Sequence, residues 1–164
     1  METLQELMIE YRNQLEKGSI QKAYKGLMDY FGELKSHFNK KHPEFSTAGS
    51  LYFGYMDMTY FALFPETLKQ RGLKIAIVFL HQQFRFEVWL AGVNKQVQGK
   101  YWKLFKENDW ENYPTVASLE GADSIVESIL VEDPNFNDPE ALTRQIENGT
   151  LKFIQEIENF LRTR

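Results

Sequence analysis

LKIAIVFLHQQFRFEVWLAG, residues 73–92, is the stretch whose reading decides the fold. Leu73 to Leu80 is apolar throughout except for Lys74, the character of a buried strand. From Phe84 to Ala91 the pattern alternates, and Gln82-Gln83 supplies a turn, so the two halves are expected to form a β-hairpin. Successive strand side chains point to opposite faces. Phe84, Phe86, Val88 and Leu90 therefore belong to the core, while Arg85, Glu87 and Trp89 share the other face. A cation, a carboxylate and an indole in one row can line a ligand groove. The same row can equally form a partly solvated surface, with Arg85 and Glu87 paired across neighbouring strands.

Upstream, SLYFGYMDMTYFALF at 50–64 is aromatic and lacks helical period, which predicts strand with a break near Gly54 to Asp57. Asp57 stands in an apolar and aromatic run where a charge is costly unless paired, and Arg85 is its expected partner. Pro65 to Gly72 reads as a short helix or turn with proline at the first helical position. Before these lie two amphipathic helices. One follows the capping box Thr3 to Glu6 and ends at Gly18; the other runs from Ser19 until Pro43 stops it. Gly26 and Gly32 inside the second are either tolerated or mark the close approach of another element.

Downstream, Gly92 lies where the strand reverses into a helix, a place where positive φ is expected, and Asn94 can cap a helix reaching about Glu107. Lys95, Lys100, Lys103 and Lys106 occupy one arc of that helix, as on any solvated amphipathic helix. Asp123 to Val131 reads as a strand in preference to a short helix. Asp138-Pro139-Glu140 opens a final helix that Gly149 is expected to kink or split. The sum is one α+β domain, residues 1–164, with a small, largely antiparallel sheet flanked by two N-terminal helices, a middle helix and a C-terminal helix.

Inventory excludes several chemistries. With no cysteine there is no disulfide, thiolate metal site or cysteine nucleophile, and the formal charge of −4 disfavours nucleic acid as a partner. The glycines match neither a P-loop nor a dinucleotide fingerprint, and no GxSxG elbow appears. His37, His42 and His81 include no i, i+4 pair, so neither metal nor cofactor is implied. No apolar run approaches the roughly 20 residues that span a bilayer, so the expectation is a cytoplasmic protein with no membrane partner.

GYMDMTYF at 54–61, LKIAIVF at 73–79, FEVWLAGVNKQVQGKYW at 86–102 and DSIVESIL at 123–130 resemble a family of small bacterial proteins that bears only a domain-of-unknown-function label. That resemblance implies a single soluble domain and brings no activity, cofactor or site residue. The element order, helix, three strands, helix, strand, is similar to the core of restriction-endonuclease-like proteins. Those enzymes hold Mg²⁺ with an acidic residue and a D/E-x-K pair. Glu87-Val88-Trp89 lacks the lysine, and Leu73 to Leu80 carries no carboxylate.

Three functions compete on these grounds. The first is a non-enzymatic binding or accessory domain for a small molecule or a protein. Its groove would be lined by Asp57, Tyr60, Arg85, Glu87 and Trp89, with Asn94, Lys95 and Gln98 at the mouth. The second is a hydrolase using Asp57 and Glu87 as a carboxylate pair; the third is a homodimer whose aromatic surface is an interface.

Overall fold

The computed structural model describes residues 1–47 and 49–164, and the chain divides into two compact units, Met1–Leu34 and Lys35–Arg164. The first contains α1 (Leu4–Lys17) and the start of α2 (Ser19–Lys41). Both halves of the expected capping box form: Thr3 N donates to Glu6 Oε2 at 2.7 Å and Glu6 N to Thr3 Oγ1 at 3.2 Å. Gly18 ends α1 in the left-handed region at φ 81°, where a side chain would be strained. Gly26 and Gly32 do not mark a close approach, since a Cβ added at either would meet nothing within 4 Å.

The second unit holds the end of α2, β1 (Met58–Leu63), the single turn α3 (Glu66–Lys69), β2 (Leu73–Leu80), β3 (Arg85–Gly92), α4 (Lys95–Glu107), β4 (Val126–Glu132) and α5 (Pro139–Leu161). The four strands form one antiparallel sheet in the order β1-β2-β3-β4, so the class is α+β. The hairpin of β2 and β3 is its centre, with Ile77 opposite Val88 and Ala76 opposite Trp89. α5 packs against β4 and β3.

Several local expectations need correction. Phe84 is not a core strand residue: it closes the β2–β3 turn at φ 54° and is exposed. The β1 ladder begins only at Met58, and Tyr52 contributes an isolated bridge to Tyr60. Pro65 stands one residue before α3, as its cap. Gly149 does not split α5, which is continuous through it; a Cβ there would come within 2.6 Å of Leu130 Cδ2, so the glycine lets β4 lie close.

Alternation gives the sheet two unlike faces. On one, Phe61, Ile75, Ile77, Phe86, Val88 and Leu90 are all buried. Phe38 of α2 meets Phe61 at 6.1 Å between ring centroids, and Phe136, just before α5, meets Phe86 at 6.2 Å. The other face carries Tyr60, Lys74, Ala76, Glu87, Trp89 and Glu127. Among the described residues, no helix is long and apolar enough to cross a membrane.

Candidate functional site

That second face is the floor of a groove of about 690 Å³. Strand alternation supplies Met58 and Tyr60 from β1, Lys74 and Ala76 from β2, and Trp89 and Ala91 from β3. Depth comes from side-chain size: the alanines leave space that the indole of Trp89 and the ring of Tyr60 border. One wall is the start of α4, with Asn94, Lys95 and Gln98; the other is the loop residues 119–123.

The α4 wall is built by close backbone approach. Gly92 N donates to Gln98 Oε1 at 2.8 Å, Val97 N to the capping Asn94 Oδ1 at 2.9 Å and Gln98 N to Asn94 O at 3.0 Å. Gly92 does not have the positive φ expected of it. Its glycine character answers a different demand, because a Cβ would lie 2.6 Å from Gln98 N, a backbone atom that cannot swing away. Gln98 is buried, and its Nε2 has no hydrogen-bond partner.

Farther along β3, Arg85, Glu87 and Trp89 share the face expected for them; the closest pairing runs along the strand, and Arg85 Nη1 also lies 3.8 Å from Glu132 Oε1 across the β3–β4 ladder. Glu87, 1% exposed, accepts from Arg85 Nε at 2.6 Å and from Trp89 Nε1 at 2.8 Å. The Trp89 Nε1 bond ties the indole to this buried carboxylate, which Arg85 Nε holds in place. Glu127, opposite Trp89 on β4, accepts from Ser124 Oγ at 2.6 Å. Burial pushes the Glu127 carboxyl above its usual range; the Ser124 hydroxyl opposes this, and the charge and hydrogen bond of Glu87 push it up further. The Tyr60 hydroxyl is also raised, by burial first and then by Tyr52 and Asp123, so it stays a neutral donor.

Of the residues singled out from sequence, Tyr60, Trp89, Asn94, Lys95 and Gln98 converge on the groove, while Arg85 and Glu87 support it from beside Trp89. Asp57 joins neither group and does not pair with Arg85. It lies exposed in the bend before β1, where its Oδ1 accepts from Tyr55 N at 2.8 Å. The amides of Tyr55 and Met58 hold its carboxyl below the usual range. Asp57 and Glu87 therefore form no carboxylate pair: one closes a turn and the other is committed to Arg85 and Trp89. Lys74 and the 119–123 loop join the lining without having been expected there. Lys74, the lone charge in β2, shares parity with Ala76, a legible signal; the loop had none.

A second polar cluster joins α2 to α5. Glu147 Oε2 lies 2.7 Å from His42 Nε2 and 3.0 Å from His37 Nε2, while Glu44 Oε1 is 3.5 Å from His42 Nδ1. Burial pushes Glu147 up, but the hydrogen bonds and charges of His42 and His37 together hold it below the usual carboxylate range. Among the described residues, no group of three or more His, Asp or Glu is placed to hold a metal ion.

No curated protein and no solved structure matches the chain. A family model does, over residues 4–161, under the description domain of unknown function DUF7000. The resemblance read from the blocks around the central hairpin thus has a family behind it, one to which no activity is attached, and this chain belongs to the DUF7000 family.

Proposed function

We propose that the protein is a non-enzymatic binding or accessory domain that takes a small molecule in the groove on the second face of its sheet. One observation carries the reading: strand alternation and the α4 cap bring Tyr60, Trp89, Asn94, Lys95 and Gln98 around a single space of about 690 Å³. That volume falls within the range of small-molecule sites, roughly 300 to 1,000 Å³, and the lining has their usual mixture, an apolar floor with a few polar groups at fixed positions. Arg85 and Glu87 act as positioning residues that lock the Trp89 ring, and Asp57 shapes the turn leading into β1. A role for the protein in the cytoplasm accords with this reading.

A thermal-shift screen of the full chain against a metabolite library tests it, because a ligand bound only by the folded state raises the melting temperature. The expected result is a stabilising ligand whose effect disappears in Trp89→Ala and persists in Trp110→Phe, Trp110 being absent from the groove lining. A ligand whose effect survives Trp89→Ala, or a library without any stabilising member, would overturn the reading.

A further inference from the structure

The lining of the groove carries charges of both signs, and strand register gives the order of its sheet residues. Lys74 pairs with Ala91, so it stands beside Gly92 and the start of α4. Ala76 and Trp89 form the next pair along this face, and Val78, opposite Tyr60, follows. From Lys74 to Val78 is four residues, roughly 13 Å at about 3.3 Å per residue.

The α4 end is positive. It gathers Lys74, Lys95 and the N-terminus of a 13-residue helix. Asn94 caps the Val97 amide, which leaves the amides of Lys95 and Gln96 without an intrahelical acceptor. Gln98 adds an independent sign of a missing acceptor. It is nine-tenths buried, its Oε1 is committed to Gly92 N, and its Nε2 has no partner. A buried donor left unpaired is unfavourable until an acceptor reaches it. The wall from the 119–123 loop is negative. It brings Glu120 and Asp123 to the groove, with Asp123 close enough to Tyr60 to raise the titration of its hydroxyl.

We infer that the groove selects a small amphoteric molecule: an oxyanion, carboxylate or phosphate, at the start of α4, a flat apolar body over Trp89, and an amino group toward Asp123 and the Tyr60 hydroxyl. This rests on the groove reading and adds the chemical class of the ligand.

Isothermal titration of the full chain at low ionic strength tests it with four probes that share one ring. 4-(2-Aminoethyl)benzoate and tyramine phosphate carry both ends and separate carboxylate from phosphate; 4-ethylbenzoate and 2-phenylethylamine carry one end each. At least one two-ended probe should bind tenfold or more tightly than either one-ended probe. Gln98→Glu keeps the acceptor for Gly92 N but replaces the free donor with an anion, and should weaken that probe at least tenfold while sparing 2-phenylethylamine. Lys95→Gln, an exposed change that keeps the fold, should weaken it in the same sense. Asp123→Asn should erase its advantage over 4-ethylbenzoate.

Equal affinity for one-ended and two-ended probes, or indifference to both Gln98→Glu and Lys95→Gln, overturns the amphoteric class. The groove itself survives that outcome if Trp89→Ala still abolishes binding. If none of the four probes binds, the amphoteric class is overturned, and the library screen alone decides the groove.

Discussion

The two faces of the sheet come from the same strands, and they are packed on different terms. The face carrying Phe86, Val88 and Leu90 is apolar and closed, each of the three 0% exposed. The face carrying Glu87 and Trp89 is also largely buried on β3, yet it spends its contacts on hydrogen bonds, from Arg85 and Trp89 to Glu87, and leaves a groove beside them. Close packing of apolar side chains supplies stability without specificity for anything outside the molecule. The second face also packs apolar side chains, Ala76, Val78 and Trp89 with Met58, Tyr60 and Leu80 against them, but adds directed donors, acceptors and charge. A protein with one sheet can thus keep its closed core and an open groove one residue apart along a strand.

The sharpest way to break this contrast is a truncation on the closed face. Phe86→Ala removes a side chain that touches the rings of Phe79 and Phe136 at 5.0 and 6.2 Å between centroids. It should cost about 3–5 kcal/mol in urea unfolding, as large-to-small core changes do. If the loss were under about 1 kcal/mol, the closed face would not be the main core.

Next in size is Gly92→Ala, at the corner where the sheet meets the α4 wall. Overpacking against backbone should cost about 1–3 kcal/mol, because the Gln98 amide 2.6 Å from the new methyl can move only if the helix start moves. Binding should fall together with stability, since Asn94, Lys95 and Gln98 would shift as one body. A variant as stable as wild type would mean that the corner is loose and the α4 wall is not preorganised.

Trp89→Phe sharpens the comparison on the open face. The ring keeps part of its volume, but Glu87 Oε1 loses the donor it has at 2.8 Å in a buried site. A cost of about 1–3 kcal/mol is expected for that unsatisfied acceptor, with a larger relative effect on ligand binding than Phe86→Tyr would give. If Trp89→Phe abolished folding altogether, the indole would be core in the same sense as Phe86 and the distinction between faces would vanish.

How much of this was legible follows from the range of the forces involved. The hairpin, its faces and the Asn94 cap are local: alternation, a continuous apolar run and a capping side chain three residues from its amide are written within a dozen residues. Asp57 shows where local reading fails. A carboxylate in an apolar run suggests a distant cation, but the bend that holds Asp57 offers the Tyr55 amide two residues back, and this local side-chain-to-backbone hydrogen bond takes the place of a long-range pair. Parity alone puts Phe84 in the core, yet the tight turn over residues 81–84 holds it at positive φ, as the last apolar position before the strand. At Gly92 chain reversal suggests a special φ, whereas the requirement is clearance from a backbone atom six residues on. The 119–123 wall and the His37, His42 and Glu147 cluster were out of reach, because both depend on tertiary placement across tens of residues.

The smallest expected effect concerns Glu127, on the open face, and is read as a change in pH dependence. Burial and Glu87 raise its folded titration above the ordinary value of 4.5. A carboxyl raised by folding contributes its full stability below the unfolded titration, and that contribution is lost as pH climbs through the folded one. Glu147 has the opposite sign: held low by His42 and His37, it stabilises above 4.5 and ceases to do so as pH falls. Glu127→Gln should imitate the protonated acid, since the amide can donate toward Glu87 and still accept from Ser124 Oγ. Relative to wild type, the variant should be near-neutral at pH 4.5 and increasingly favourable toward pH 7.5, with urea midpoints at the two values as the measurement. Glu147→Gln serves as the control, losing stability at pH 7.5 and little at pH 3.5. Were Glu127→Gln to lose stability progressively as the pH rises, Glu127 would be a paired carboxylate like Glu147 rather than one that burial and Glu87 push up.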